Sequence, residues 1–472
     1  MRKIFIALCA GTLLAAPLSA PSVHYAQGAE ALSVEARGRW EKDVDVAKLY
    51  DAVVETIDQR FYDEGILKKL DWRARAQALR PSVVSAATAQ DAARQINELL
   101  SELKTSHTGL FTPDDYEYYI LLDVVGLGPE VAGLMSRRFW GTGPYYPGIG
   151  AFTRRVEGRH FVDGILEGSP ADRAGLKYGD EILSVDGASY TPIAAFVGKV
   201  GTTVRLEVRR TDAAAPESLS VEVIPIRPTK AFSDATTASA RVIERDGAQI
   251  GYVHVWALSE QNSFRAAVAG FDSNRAMADR SARQEARTAS NNREAALNTA
   301  REMPKRLDFL IVDMRGRVGG NIAVAGQLLQ TLGQEDPFWG RWQTFGRTRP
   351  GQLQGSTNQN PSFRGRSALL INHHTRSAAE IMAYGYKRSA FGPVIGTPSA
   401  GAVVSGALVP MPGDLLLYVA VTGHEFDGGQ RLEGTGVIPD HLVERPLPYA
   451  GGADQVLEAA VELLAKQKAN VP

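Results

Sequence analysis

Apolar positions along this chain follow three different rhythms. In residues 34–110 they recur every three or four positions, through Val44, Ala47, Leu49, Tyr50, Val53, Val54 and Ile57, then through Ala92, Ile96, Leu99 and Leu103. That is the period of helices with one apolar face. Tyr62, Asp63, Glu64 and Gly65 interrupt the first run. In residues 146–228 short runs bounded by glycine dominate: 160–166 alternates, 179–187 reads as a strand into a turn, and 204–208 and 219–224 read as further strands. A short helix with clear stops is predicted within 168–176. In residues 243–464 apolar strands at 250–255, 307–312, 368–372, 394–395 and 415–421 alternate with helical patterns, which predicts an α/β unit. The Tyr- and Gly-rich stretch 116–146 predicts nothing regular. Residues 274–305, polar and rich in Arg and Ala, predict a long exposed helix inserted in the α/β unit, its charges a solvated face. No internal repeat is present.

Composition narrows the classes. At 472 residues the chain has room for two or three domains, and 44% apolar content is ordinary for a globular protein. A formal net charge of -1 gives no reason to expect nucleic acid or an anionic membrane as partner. Arg2 and Lys3 precede an apolar stretch at 4–14 that is too short for an anchor. Residues 1–28 are therefore expected to be a secretory signal peptide, with cleavage between about Ala20 and Ala29. Cys9, the one cysteine, lies inside it. The mature protein is then exported, periplasmic or secreted, with no disulfide and no thiol nucleophile. No later segment reads as a transmembrane helix.

The most telling local pattern is the strand expected at 367–372, followed by His373, His374, Thr375, Arg376, Ser377 and then a helix at 378–387. Ser377 sits at the strand-to-helix corner, beside the first free N–H groups of the helix. Such groups carry partial positive charge and can stabilise an oxyanion. A plain N-cap is the competing reading. A serine hydroxyl needs a base. Of eight histidines, His107 follows a helix in Thr105-Ser106-His107, and can equally be a local loop residue. His373 and His374 are second-rank candidates, because nearness in sequence is no guide to nearness in a triad. Residues 313–321, DMRGRVGGN, link a strand to a helix. Gly319 and Gly320 would let backbone N–H groups face a substrate. A plain turn competes with that reading, and phosphate binding is weak without a Gly-Lys-Ser/Thr ending. Glu433 could orient a histidine or a bridging serine, or simply occupy a surface loop.

Two resemblances follow from these motifs. GSPADRAGLKYGDEILSVDG, at 168–187, resembles the PDZ pattern. Ile149, Gly150 and Ala151 then stand where such domains hold a peptide's C-terminal carboxylate, with the peptide added as an edge strand; a blocked groove is the alternative. The order of a helical N-terminal region, a PDZ domain, DMRGRVGGN, RSAAE (376–380) and EGTGVIPD (433–440) resembles the tail-specific, or C-terminal-processing, serine protease family. The resemblance covers nearly all of the mature chain except 274–305. It implies a multidomain α/β fold: signal peptide 1–28, helical region 29–115 carrying the Ser–His pair, PDZ domain 146–228, and a ClpP/crotonase-like α/β protease core at 243–464. Many members use a Ser–Lys dyad, but where their lysine stands this chain has Ala402, and Lys387 lies further along the helix after Ser377. The tricorn-like branch instead uses a Ser–His–Ser–Glu tetrad. Carried over, that implies Ser377 as nucleophile, His107 as base, Ser106 as bridge and Glu433 as orienting acid. Gly319 or Gly320 and Ala378 would supply the oxyanion hole. It implies polypeptide substrates and no metal or organic cofactor. The alternative is a non-catalytic peptide- or ligand-binding member of the same fold.

Overall fold

A computed structural model describes residues 40–41, 44–126, 128–139, 142–271, 307–316, 319–333, 340–344, 347–351, 363 and 365–469. The expected signal peptide and the expected helical insert at 274–305 lie outside the described residues.

The N-terminal helices start where their caps allow. Asp45 accepts from Lys48 N–H and opens the helix Val46–Arg60, which buries Leu49, Tyr50, Val53 and Ile57. The break at Tyr62–Gly65 is a restart: Asp63 caps the short helix Glu64–Leu70. Trp72–Val84 follows, and Thr88 then caps Ala89–Ser101, whose Ala92, Ala93, Ile96, Leu99 and Leu100 are buried. These helices do not enclose a core of their own. They pack on Met411, Leu415, Leu417 and Val419 from two late strands, Ser405–Met411 and Leu415–Phe426. The strand Gly109–Phe111 joins the same sheet, antiparallel to Leu415–Phe426 with Gly109 opposite Tyr418.

The stretch expected to be irregular holds two helices, Tyr116–Val124 and Pro129–Phe139. The first buries Tyr116, Tyr118, Tyr119, Ile120, Leu122 and Val124, which leaves almost no polar stripe to mark a period. Ser405–Met411 was also absent from the expected strands. Gly406 and Pro410 within it weaken the signal, and a bulge falls between Ser405 and Gly406.

The middle unit is an antiparallel sheet in the order Ala151–Val156, Arg159–Ile165, Glu181–Val185, Thr203–Arg209, Glu217–Glu222. Its core includes Val162, Ile182, Leu206 and Val208. Ser169 caps the short helix Pro170–Arg173, which falls within the helix expected at 168–176.

The last unit is a six-stranded sheet: Arg241–Arg245, Ala248–His254, Phe309–Asp313, Arg366–Ile371, Val394–Gly396, His441–Leu442. Every pair after the first hairpin is parallel. Its central strands read as unbroken apolar runs because both faces are covered. Leu310, Val312, Leu369 and Ile371 face the helices Ile322–Thr331 and Ala378–Arg388. Phe309, Ile311, Ala368 and Leu370 face the C-terminal helix Gln455–Ala469. Among the described residues no helix is long and apolar enough to cross a membrane.

Candidate active site at the ends of the parallel strands

Ser377 lies beyond the C-terminal end of the strand Arg366–Ile371, at the kind of sheet edge where α/β folds bind ligands. The turn is held from inside: Thr375 Oγ1 donates to the Met314 carbonyl (2.8 Å), and Asn372 Oδ1 accepts from His374 N–H (2.9 Å). Ser377 itself has φ 56° and ψ −127°, a backbone state that a residue with a Cβ adopts only when its surroundings impose it. Its N–H donates to the Ala402 carbonyl (2.8 Å) and to Glu380 Oε2 (3.2 Å).

Glu380 is the part of the corner that sequence reasoning missed. It is fully buried. Oε1 accepts from the Ser399 hydroxyl and Gly401 N–H, and Oε2 from Ala402 N–H, each at 2.6 Å. Burial pushes its carboxyl above the ordinary value, against these four donors, which favour the ionised form. It ties the segment 399–402 to the first turn of the helix Ala378–Arg388. The available signal was the S-x-x-E spacing of Ser377 and Glu380, a capping-box pattern.

Gly319 packs directly on Ser377. A Cβ built there would lie 2.5 Å from Ser377 Cβ, 2.6 Å from the Arg376 carbonyl and 2.9 Å from Ala378 N. Its carbonyl accepts from Leu258 N–H (2.7 Å), and Asn321 N–H returns to the Leu258 carbonyl (2.8 Å). Gly320, at φ 125°, makes the turn between them. Neither Gly319 N–H nor Ala378 N–H donates to any described residue, so two donors remain beside the hydroxyl.

A hydrogen-bonded chain approaches from the N-terminal region. Ser106 N–H donates to Glu433 Oε1 (2.7 Å) and Ser106 Oγ to Glu433 Oε2 (3.0 Å). Val403 N–H and Val404 N–H also reach Oε2, at 2.9 and 3.2 Å. Ser106 Oγ lies 2.9 Å from His107 Nδ1. The hydroxyl has one proton and a carboxylate only accepts, so that proton goes to Glu433. Nδ1 must then donate to Ser106, which leaves the Nε2 lone pair as the basic site of the ring. His107 has φ 54° and lies 5.0 Å, ring to ring, from Tyr418. Burial first, then the charges of Arg376 and His424, lower its pKa to about 3, so the ring is neutral. No hydrogen bond joins His107 to Ser377 in this structure. They are linked through Ser377–Ala402 and the Val403–Glu433–Ser106 contacts.

The other basic candidates are engaged elsewhere. Lys387 Nζ donates to the Ile438 carbonyl (2.8 Å) and pairs with Asp440 (2.7 Å). His374 Nε2 is 3.1 Å from Asp163 Oδ2, and His373 Nε2 is 3.1 Å from Arg154 Nη1, both partners in the middle unit.

In that unit Ile149, Gly150 and Ala151 are buried. The Ile149 carbonyl accepts from Ala171 N–H and the Gly150 carbonyl from Leu166 N–H, both at 2.9 Å. Gly150 has φ 82° and packs against Ser169, where a Cβ would collide. The strand Ala151–Val156 is an edge, paired among the described strands only with Arg159–Ile165.

Comparison with known proteins agrees with this architecture. The model of peptidase family S41 matches residues 249–443, and that of the PDZ domain matches 161–210. A tricorn protease homolog of Streptomyces coelicolor is 27% identical over 88% of this chain, which spans about a third (32%) of that relative's length. A carboxyl-terminal-processing protease of Picosynechococcus is 23% identical over 88% of each chain. A solved photosystem II D1 C-terminal processing protease is 17% identical, with a TM-score of 0.47, over 89% of this chain and 97% of its own. Residues 249–443 therefore carry a peptidase family S41 domain and residues 161–210 a PDZ domain, and the chain is similar to the tail-specific, carboxyl-terminal-processing proteases.

Proposed function

We propose that this protein is an exported serine endopeptidase that cleaves polypeptides through an acyl-enzyme, with a Ser377–His107–Ser106–Glu433 relay. The observation that carries this reading is the hydrogen-bonded chain from Glu433 through Ser106 to His107, between residues 327 positions apart in sequence. It leaves an unprotonated Nε2 on a neutral ring. His107 takes the proton of the Ser377 hydroxyl as Oγ attacks the peptide carbonyl. The N–H groups of Gly319 and Ala378 receive the oxyanion, with Gly320 as the alternative donor. His107 passes its proton to the leaving amine and then activates water for deacylation. Hydrogen bonds of this kind tighten in the substrate complex, which is the state in which His107 and Ser377 meet. Alanine at 402 cannot take a proton as the dyad lysine does, and Lys387 is held by Asp440, which supports histidine as the base. The PDZ domain selects or gates substrate, with C-termini docking along the edge strand Ala151–Val156 from the loop at Ile149, Gly150 and Ala151.

A fluorophosphonate probe tests the reading. Labelling is expected in the wild-type protein and lost in Ser377→Ala; no labelling in either favours a binding protein on the same fold. His107→Ala is expected to lower kcat by several orders of magnitude, as loss of a triad base does. Near-normal turnover in that variant would assign the base elsewhere.

A further inference from the structure

The seam between the PDZ sheet and the protease core carries a side-chain cluster that the relay does not use. Asp163 comes from the PDZ strand Arg159–Ile165, and His373 and His374 from the turn that runs into Ser377. Each offers one ligand atom, and these atoms lie within 4.8 Å of one another. Asp163 and His374 are buried, at 8% and 7% exposure, while His373 opens to solvent. The two imidazoles lie 4.0 Å apart, centroid to centroid.

We propose that Asp163, His373 and His374 bind a divalent transition-metal ion of the zinc type. Two imidazoles and one carboxylate form a borderline donor set suited to zinc, with a fourth position open to water. The 3.1 Å between His374 Nε2 and Asp163 Oδ2 is close to the edge of about 3.4 Å expected between two ligands on a tetrahedral ion with bonds of about 2.1 Å. His373 supplies the entrance from solvent. Arg154 opposes the ion: its Nη1 lies 3.1 Å from His373 Nε2, which sets a cation beside the ring. A guanidinium only donates, so the ring nitrogen facing it presents a lone pair. Arg376 adds a second opposing charge near His373. An ion here would join the PDZ strand to the turn that ends at Ser377. Its occupancy would therefore fix how the PDZ domain sits against the nucleophile corner.

The test is direct metal binding, with no dependence on peptidase activity. The full chain, purified without a histidine tag and stripped with chelator, is titrated with Zn²⁺ by calorimetry and with Co²⁺ by visible absorption. One equivalent should bind, and Co²⁺ should give the intense d–d bands of a four-coordinate site. His373→Ala, at an exposed position that leaves the fold intact, should weaken binding at least about tenfold. Asp163→Asn and His374→Ala should do the same. Arg154→Ala should tighten binding by removing the competing cation. Absence of stoichiometric binding, or unchanged affinity in His373→Ala, would overturn the site.

Discussion

The residues around Ser377, the proposed nucleophile, are held by carboxylates whose acceptor sites are filled. Glu433 receives four donors and Glu380 another four. An amide in either place must turn its NH₂ toward an N–H that cannot accept. Glu433→Gln is therefore expected to lower kcat while leaving measurable turnover, because His107 keeps its Ser106 partner. Steady-state kinetics on a peptide substrate checks this, and kcat at the wild-type value would remove Glu433 from the relay. In Glu380→Gln the mismatch is fully buried, so the expected cost is about 2–3 kcal/mol of stability, read as a lower denaturation midpoint. Ser377 gives this cost a functional meaning: its strained backbone persists only while Glu380 and Ala402 hold its N–H.

At the scale of elements, the site is made where three loops leave the same end of one parallel sheet. The loop after Phe309–Asp313 brings Gly319, the loop after Arg366–Ile371 brings Ser377, and the segment after Val394–Gly396 brings Ala402. The contact between the first two is so close that only glycine fits at 319. Gly319→Ala is expected to reduce kcat by at least about a hundredfold, the usual loss of one oxyanion donor, and to slow fluorophosphonate labelling in parallel. Labelling at the wild-type rate would place the oxyanion donors elsewhere. Next to this loop, buried Arg315 forks onto Asp313 and Asp454 at 2.6–2.9 Å, joining the sheet to the start of the C-terminal helix. Burial would raise the Asp313 carboxyl, but the Arg315 guanidinium outweighs it and holds the pKa well below the usual range. Arg315→Ala would leave two carboxylates facing each other, at a cost of about 3–5 kcal/mol, measured by urea denaturation.

At the scale of the molecule the three regions share interiors. The N-terminal helices close over the late strands Ser405–Met411 and Leu415–Phe426. Phe152 of the PDZ sheet packs with Phe232 and Trp256, and Glu167 bonds both His254 and Trp256 Nε1 of the core. Excision of 146–228 would expose these apolar surfaces, so point changes at the seam are the cleaner test of gating. Shared burial also sets the response to acid. His107 is lowered to about 3, and His373 and His424 to about 4, chiefly by burial. Each binds a proton more readily unfolded than folded. Stability is therefore expected to fall as pH drops from about 6.5 toward 4, where the unfolded state takes up the extra protons. His254 acts in the opposite sense, because Glu167 outweighs its burial and raises its pKa. Denaturation midpoints across that range check the net slope, which should be shallower in His107→Asn.

Short-range chemistry was legible in the sequence. The helical period at 44–57 and 92–103, the buried strands expected at 307–312 and 368–372, and the glycines of the PDZ turn are written in neighbouring residues, because periods and tight turns are local constraints. The Ser377 corner belongs to this class. Two things escaped it. The helix Tyr116–Val124 is apolar on nearly all sides and buries Tyr116, Tyr118, Tyr119, Ile120, Leu122 and Val124, so its period carried no contrast. Glu380 gains three of its four donors only when the loop 399–402 folds around it. The pairing of Ser106 and His107 with Glu433 was reached only through family resemblance, since no local force relates positions 327 apart. That distance is closed by the strand Gly109–Phe111, which docks beside Leu415–Phe426 once both can bury the same apolar face.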